Sequence, residues 1–355
     1  MSTRTTSRRA IRRRALVTLT TMSAALAAFT FPAGATTVAA ATTTVDQCPY
    51  LESAAHTAVP HTVATAAHTD ARTITIDDTC AYPESVAADH DYIYTGNISN
   101  GTIYRGRIGA KTLEPFLPGG QDGRSQATGI KTTGNRLLVA GAFKGNFFVY
   151  TKTGKLVSSY SVPKSTDPTL VNDAAVAANG DVYITDSFRA VVYRIPAAEV
   201  HAPATGVHRT LQVAYHLPDY VPDQSNGNGI VTSPDGKSLI IGYWSSGALY
   251  RLTLATGEIR KVDAPPLHSA DGIARRGNTL YIARSVDNTI ATVRLSRGGT
   301  RGTVVSERTY PGADTTTGIA VVRNRLVVTN SQMDTFLYHD PLTSSVFTLA
   351  SLPVH

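Results

Sequence analysis

A six-fold internal repeat constrains this chain more than any other feature. The tripeptides Glu84-Ser85-Val86, Thr128-Gly129-Ile130, Asn172-Asp173-Ala174, Asn228-Gly229-Ile230, Asp271-Gly272-Ile273 and Thr317-Gly318-Ile319 open six similar stretches. Their third residues, at 86, 130, 174, 230, 273 and 319, lie 44, 44, 56, 43 and 46 residues apart. After a short polar turn, each is followed by an apolar strand: Tyr92-Ile93-Tyr94, Leu137-Leu138-Val139, Val182-Tyr183-Ile184, Leu239-Ile240-Ile241, Leu280-Tyr281-Ile282 and Leu326-Val327-Val328. A further strand is predicted to end at Tyr104, Tyr150, Tyr193, Tyr250, Val293 or Tyr338, and Arg105, Arg194, Arg251 and Arg294 follow four of these.

Two landmarks that stay in phase six times predict an all-β chain of six units, each of about four short strands: a six-bladed β-propeller. One such unit cannot bury both faces of its sheet, whereas units stacked around an axis can. Too few residues follow the last marker for a full unit. The strand around Thr73-Ile74-Thr75-Ile76 is therefore expected to complete the last blade and close the ring. The 56-residue spacing marks an insertion from Ala197 to Asn226, carrying His201, His208, His216 and Tyr220, and a loop there is expected on one rim.

The front of the chain reads differently. Residues 1–35 hold Arg4, Arg8, Arg9, Arg12, Arg13 and Arg14 and no acid, followed by an apolar run from Ala15 to Phe31 and then Ala33-Gly34-Ala35. A basic segment, an apolar segment and small residues at a cleavage point predict a secretory signal peptide rather than a stable membrane anchor. The Sec and twin-arginine routes both remain open. Of the formal net charge of +7, those six arginines leave +1 for the rest. This removes the argument for a nucleic-acid partner. Residues 36–71 read as an Ala/Thr-rich leader and 72–355 as the propeller. Cys48 and Cys80 are the only cysteines, and a disulfide between them suits an exported protein, expected in the extracellular space as a monomer.

The residues two before the phase markers are Glu84, Thr128, Asn172, Asn228, Asp271 and Thr317. In a propeller the innermost strands line the axis, so equivalent positions form a ring. Two carboxylates, two amides and two hydroxyls, with no Lys or Arg among them, are the hard oxygen donors a divalent cation needs. Asn-Gly and Asp-Gly also form turns, but six polar residues in phase favour a site.

These motifs make the chain resemble the SMP-30/gluconolactonase/LRE family of six-bladed propellers, itself related to paraoxonases and strictosidine synthase-like proteins. The resemblance spans roughly residues 73–350. It implies one divalent cation at the channel mouth, Ca2+ first, with Mn2+ or Zn2+ as the other candidates. The implied ligands are Glu84 of Pro83-Glu84-Ser85, Asn172 of Asn172-Asp173, Asn228 of Asn228-Gly229-Ile230 and Asp271 of Asp271-Gly272-Ile273. Sugar-lactone members carry an Arg two residues before the third-unit Asn. Leu170 stands there in this chain, which points to a less polar lactone or ester as the small-molecule partner.

The function expected from this is an exported, divalent-metal-dependent hydrolase that opens a lactone or ester by metal-activated water. Asp271 is the expected general base, and Asn172, Arg124, Tyr243 and Trp244 are the expected substrate contacts. A secreted propeller that only binds a ligand or protein, with a structural metal, is the competing expectation. The sequence has no G-x-S-x-G elbow, H-E-x-x-H, P-loop or dinucleotide glycine motif, so it gives no basis for those chemistries.

Overall fold

The computed structural model describes residues 48–51, 70–222 and 224–354. The expected signal peptide and most of the expected leader lie outside the described residues. The described chain is all-β, with two short helices, Ala197–Val200 and Met333–Tyr338, and one 3-10 turn. Among these residues no helix is long and apolar enough to cross a membrane.

Hydrogen bonds group the strands into five sheets. Two are plain four-stranded meanders: Gly227–Thr232, Ser238–Tyr243, Leu249–Thr253 and Ile259–Lys261, then Ala270–Arg276, Thr279–Arg284, Thr289–Leu295 and Gly302–Arg308. A third runs Val171–Val176, Val182–Asp186, Val191–Ile195 and Gln212–His216. The fourth runs from Ile130–Thr133 through Arg136–Ala140 and Asn146–Thr151 to Leu156–Ser161, with Val207–Thr210 added outside. The eight-stranded sheet joins two meanders through the strand Arg72–Ile76. That strand pairs antiparallel with Thr348–Pro353 (Ile74 opposite Leu349) and meets Thr112–Leu117 in parallel (Ile76 opposite Leu113).

The first strands of the six repeats touch in a closed cycle: Pro83–Ala88, Ile130–Thr133, Val171–Val176, Gly227–Thr232, Ala270–Arg276, Ile319–Val322 and back to Pro83–Ala88. The approach is backbone to backbone. Gly129 N donates to Asn172 O at 2.7 Å, and Gly272 N to Thr317 O at 2.8 Å. A Cβ on Gly229 would lie 2.1 Å from Asp271 O, and one on Gly318 would lie 2.6 Å from Ser85 Cα. None of these glycines has a positive φ. Their Asn-Gly, Asp-Gly and Thr-Gly dipeptides are therefore not turns; glycine is there because the neighbouring strand leaves no room for a side chain. Where a repeat lacks the glycine, the side chain bridges instead: Ser85 Oγ accepts from Ile130 N at 3.2 Å, and Asp173 Oδ2 from Ile230 N at 3.4 Å.

Between sheets, alternate residues of facing strands interdigitate in apolar clusters such as Leu239, Ile241 and Leu252 against Ala175, Tyr183 and Val192. This is the burial that a single twisted meander cannot achieve. On third strands, Tyr104 and Tyr193 donate their hydroxyls to Asp78 at 2.5 Å and Asp186 at 3.0 Å, and Tyr250 donates to Asp219. These bonds pin the loops to the sheets.

Two expectations need correction. Tyr338 ends the helix Met333–Tyr338, not a strand. The strand in that place is Thr348–Pro353, and the helix is inserted ahead of it with Met333 and Phe336 buried. The insertion after Ala197 is not simply a rim loop. Val207–Thr210 pairs in parallel with Leu156–Ser161 on a sheet edge far from the first strands, because that edge offers unpaired backbone groups. His208 fits between Ser159 and Ser161, at 3.0 and 2.7 Å, as an edge staple.

The disulfide Cys48–Cys80 is present, and Leu51 N bonds to Phe336 O at 2.9 Å. This tie fixes residues 48–51, inside the expected leader, beside the inserted helix. Closing a loop of this length stabilises a fold by about 3–4 kcal/mol in the chain-entropy model. The close approach of the first strands gives a direct test. Gly229→Ala should lower the unfolding free energy by about 2 kcal/mol or more. Gly298→Ala, where the nearest atom is 4.0 Å away, should change it by less than about 0.5 kcal/mol. Chemical unfolding of both variants measures the difference.

Candidate metal and active site

The four expected ligands sit at the same end of their first strands, and each lies in a β-bulge. Register slips between Pro83 and Val86, Val171 and Ala174, Gly227 and Ile230, and Ala270 and Ile273. The residues inside those slips include Glu84, Asn172, Asn228 and Asp271. A bulge re-aims a side chain that regular pleating would send into the inter-sheet core. Thr128 and Thr317, the other two members of the ring, precede unbulged strands. Their hydroxyls donate to the neighbouring backbone, to Val171 O at 2.9 Å and Glu84 O at 2.6 Å. They serve the packing of the ring and are not free donors for a ligand.

All four bulged residues are buried, at 4–8% exposure. Asn172 Nδ2 donates to Ser187 Oγ at 3.1 Å, which aims its carbonyl oxygen the other way. Asn228 and Ser285 stand beside the Asp271 carboxylate and favour its charged form, and Ser285 Oγ accepts from Trp244 Nε1 at 2.9 Å. Loss of water around Asp271 outweighs their pull and, with the nearby Asp173, pushes its carboxyl up to about 7. Desolvation and the charges of Asp271 and Asp173 push the Glu84 carboxyl well above its ordinary value, against the opposing pull of Lys131.

Sequence reasoning missed several residues of this region. Asp173 adds a third carboxylate, and Lys131 lies 3.0 Å from it. Tyr338, on the inserted helix, feels the Asp271 charge, and burial together with that charge raises its hydroxyl. The loop containing Ser187 brings Phe188 to a ring distance of 6.0 Å from Phe143. Both rings are half-buried, as is Leu170. Only Asp173 and Lys131 carried a signal: each breaks the pattern of its repeat position.

Two expected substrate contacts are corrected. Arg124 is fully buried, with its guanidinium bonded to Gly101 O at 2.7 Å, Tyr150 Oη at 2.5 Å and Pro118 O at 3.0 Å. It has no face toward a ligand. Tyr243 is also core: its hydroxyl donates to Pro218 O at 2.6 Å and its ring packs on Tyr250 at 4.6 Å. Trp244 is half-buried and joined to the site through Ser285.

The chemistry of these residues is that of a hard-cation donor set: two carboxylates and two amides stand on four separate strands, and Glu84 is near enough to Asp271 to feel its charge. Among the described residues no three His, Cys, Asp or Glu side chains form a metal-sized group, so the fit depends on the amides of Asn172 and Asn228.

Comparison with solved structures agrees with this architecture. The chain is similar to the major allergen Mala s 1 of Malassezia sympodialis, at 14% identity over 81% of this chain and 96% of that one, with a TM-score of 0.60. It is similar to a protein assigned as a gluconolactonase, at 13% identity over 81% and 94%, with a TM-score of 0.54. The calcium-binding protein regucalcin of Agrobacterium tumefaciens matches at 16% identity over 76% and 90%, also at 0.54. The fold is that of a β-propeller. It resembles the SMP-30/gluconolactonase-like propellers among those structures. No protein-family model matches the chain, and no curated protein matches it in sequence.

The raised carboxyls predict a pH dependence with a definite sign. Asp271 releases its proton near 3.8 in the unfolded chain and near 7 in the folded one. Between those values the native state binds more protons, so rising pH favours unfolding. The metal-free protein should lose stability from about pH 4 to about pH 7. Asp271→Asn should then raise the thermal midpoint at pH 7.5 in chelator and leave it nearly unchanged at pH 4, as read by differential scanning calorimetry.

Proposed function

We propose that the six repeats are the blades of a six-bladed propeller closed by the strand Arg72–Ile76, and that its bulged mouth hydrolyses a lactone or ester with the help of a divalent cation. The observation that carries this reading is the coincidence of four bulges with four oxygen donors, two of them carboxylates. The closed cycle of six first strands and the pairing of Arg72–Ile76 with Thr348–Pro353 support the six-bladed, closed form.

Glu84, Asn172, Asn228 and Asp271 would hold the cation, with Ca2+ best suited to so many hard oxygen donors. Bound there, it supplies Lewis-acid polarisation of the substrate carbonyl. The chain's own residues do the rest. Asp271, oriented by Asn228 and Ser285, accepts the proton of the attacking water. Asn172, fixed by Ser187, is placed to orient the substrate oxygen. Phe143, Leu170, Phe188 and Trp244 offer apolar surface and no charge, which suits a weakly polar acyl or leaving group better than a sugar acid. The disulfide is consistent with an extracellular protein, in keeping with the export signal expected from the sequence.

The test is hydrolysis of a panel of aliphatic lactones and aryl esters by the purified protein, with Ca2+, Mn2+ or Zn2+ and with chelator. Metal-dependent turnover is expected, and Asp271→Asn should lower kcat/KM by about 100-fold or more. Cation binding without turnover on any substrate would favour the binding-module reading. Turnover unchanged by chelator and by Asp271→Asn would overturn the proposal.

A further inference from the structure

Two residues break the repeat, and they meet each other. At the position after the phase marker, five repeats carry Ala87, Ala175, Val231, Ala274 and Ala320, and the second carries Lys131. At the position before it, four repeats carry glycine and one Ser85, while the third carries Asp173. Lys131 Nζ lies 3.0 Å from Asp173 Oδ1, with side-chain exposures of only 22% and 7%. The pair bridges neighbouring first strands, Ile130–Thr133 and Val171–Val176. Asp173 adjoins Asn172 in the same bulge.

A buried ion pair rarely stabilises a fold more than apolar packing does, and the other five interfaces of the ring manage without one. Its location next to the carboxylates gives it another use. Three carboxylates and one ammonium share a water-poor region in which charges are weakly screened. The strand Ile130–Thr133 that carries Lys131 packs between Pro83–Ala88, which holds Glu84, and Val171–Val176.

We infer that Lys131 is a built-in counter-cation of the channel, which competes electrostatically with a bound divalent cation and, together with Asp173, sets the affinity of the site. The inference rests on the cation site proposed above. Lys131 holds Asp173 at one oxygen while Ile230 N holds the other, so Asp173 is kept out of the ligand set and its charge is balanced. A site that would otherwise present three carboxylates is thereby tuned toward weaker, reversible binding.

Calorimetric titration with Ca2+ of the wild type, Lys131→Met, Asp173→Asn and the double variant tests this. Lys131→Met should bind at least about tenfold more tightly, and Asp173→Asn at least about tenfold more weakly. The double variant restores the net charge and should return to within about threefold of the wild type, which structural damage would not produce. Wild-type binding with no gain in Lys131→Met, or weakening in all three variants, overturns the inference and leaves the cation site standing. Absence of heat in every protein overturns both.

Discussion

The structure depends on six first strands brought into backbone contact around one axis. That approach decides which residues can stand beside it. Gly129, Gly229, Gly272 and Gly318 occupy places where a Cβ would fall within 2.1–2.6 Å of a neighbouring strand, and Ser85 and Asp173 stand where a side chain can bond across the gap. The large apolar faces of the sheets supply the bulk of the stabilisation, but they specify only that sheets stack. The crowding at the axis ties the number of repeats to the closure of the cycle, since each repeat has to meet a neighbour on both sides.

The candidate chemistry sits at the same end of these strands. All six first strands press on their neighbours, and four of them also bulge at that end. The side chains freed by those bulges are Glu84, Asn172, Asn228 and Asp271. Burying two carboxylates within reach of each other's charge costs free energy that Asn228 and Ser285 offset only in part, and the Asp271 carboxyl is pushed up to about 7. A cation bound among them, as proposed, would relieve that cost, and cation binding would then share its origin with the loss of stability expected as pH rises to neutrality.

Much of this was legible in the chain because a repeat is read six times. The second strands and the six polar positions of the ring follow from residues that recur at fixed offsets, and the family resemblance singled out the four of those six that the bulges hold. What recurs only once was read less well. Tyr338 matched the spacing of the other tyrosines, yet it belongs to an inserted helix whose cause is tertiary: Phe336 and Met333 fill a gap beside Tyr82 and Phe347. Arg124 was expected at the substrate, but its guanidinium is taken up by the loop carbonyls of Gly101 and Pro118 and by the Tyr150 hydroxyl. The histidine-bearing insertion was misread because pairing to the edge of another repeat leaves no local pattern. Lys131 and Asp173 were visible as departures from the repeat, and only their contact across the interface gave those departures a meaning.

Trp244, the single tryptophan of the chain, is tied to Asp271 through Ser285, and this makes the central claim measurable without a known substrate. Terbium luminescence excited through tryptophan reports a cation bound within reach of that ring. Sensitised emission that Ca2+ displaces, and that is lost when Glu84→Gln and Asp271→Asn are combined, is the result expected if the bulged ends of the ring hold a divalent cation. Emission equal in the wild type and the combined variant, or absent from both, would contradict it.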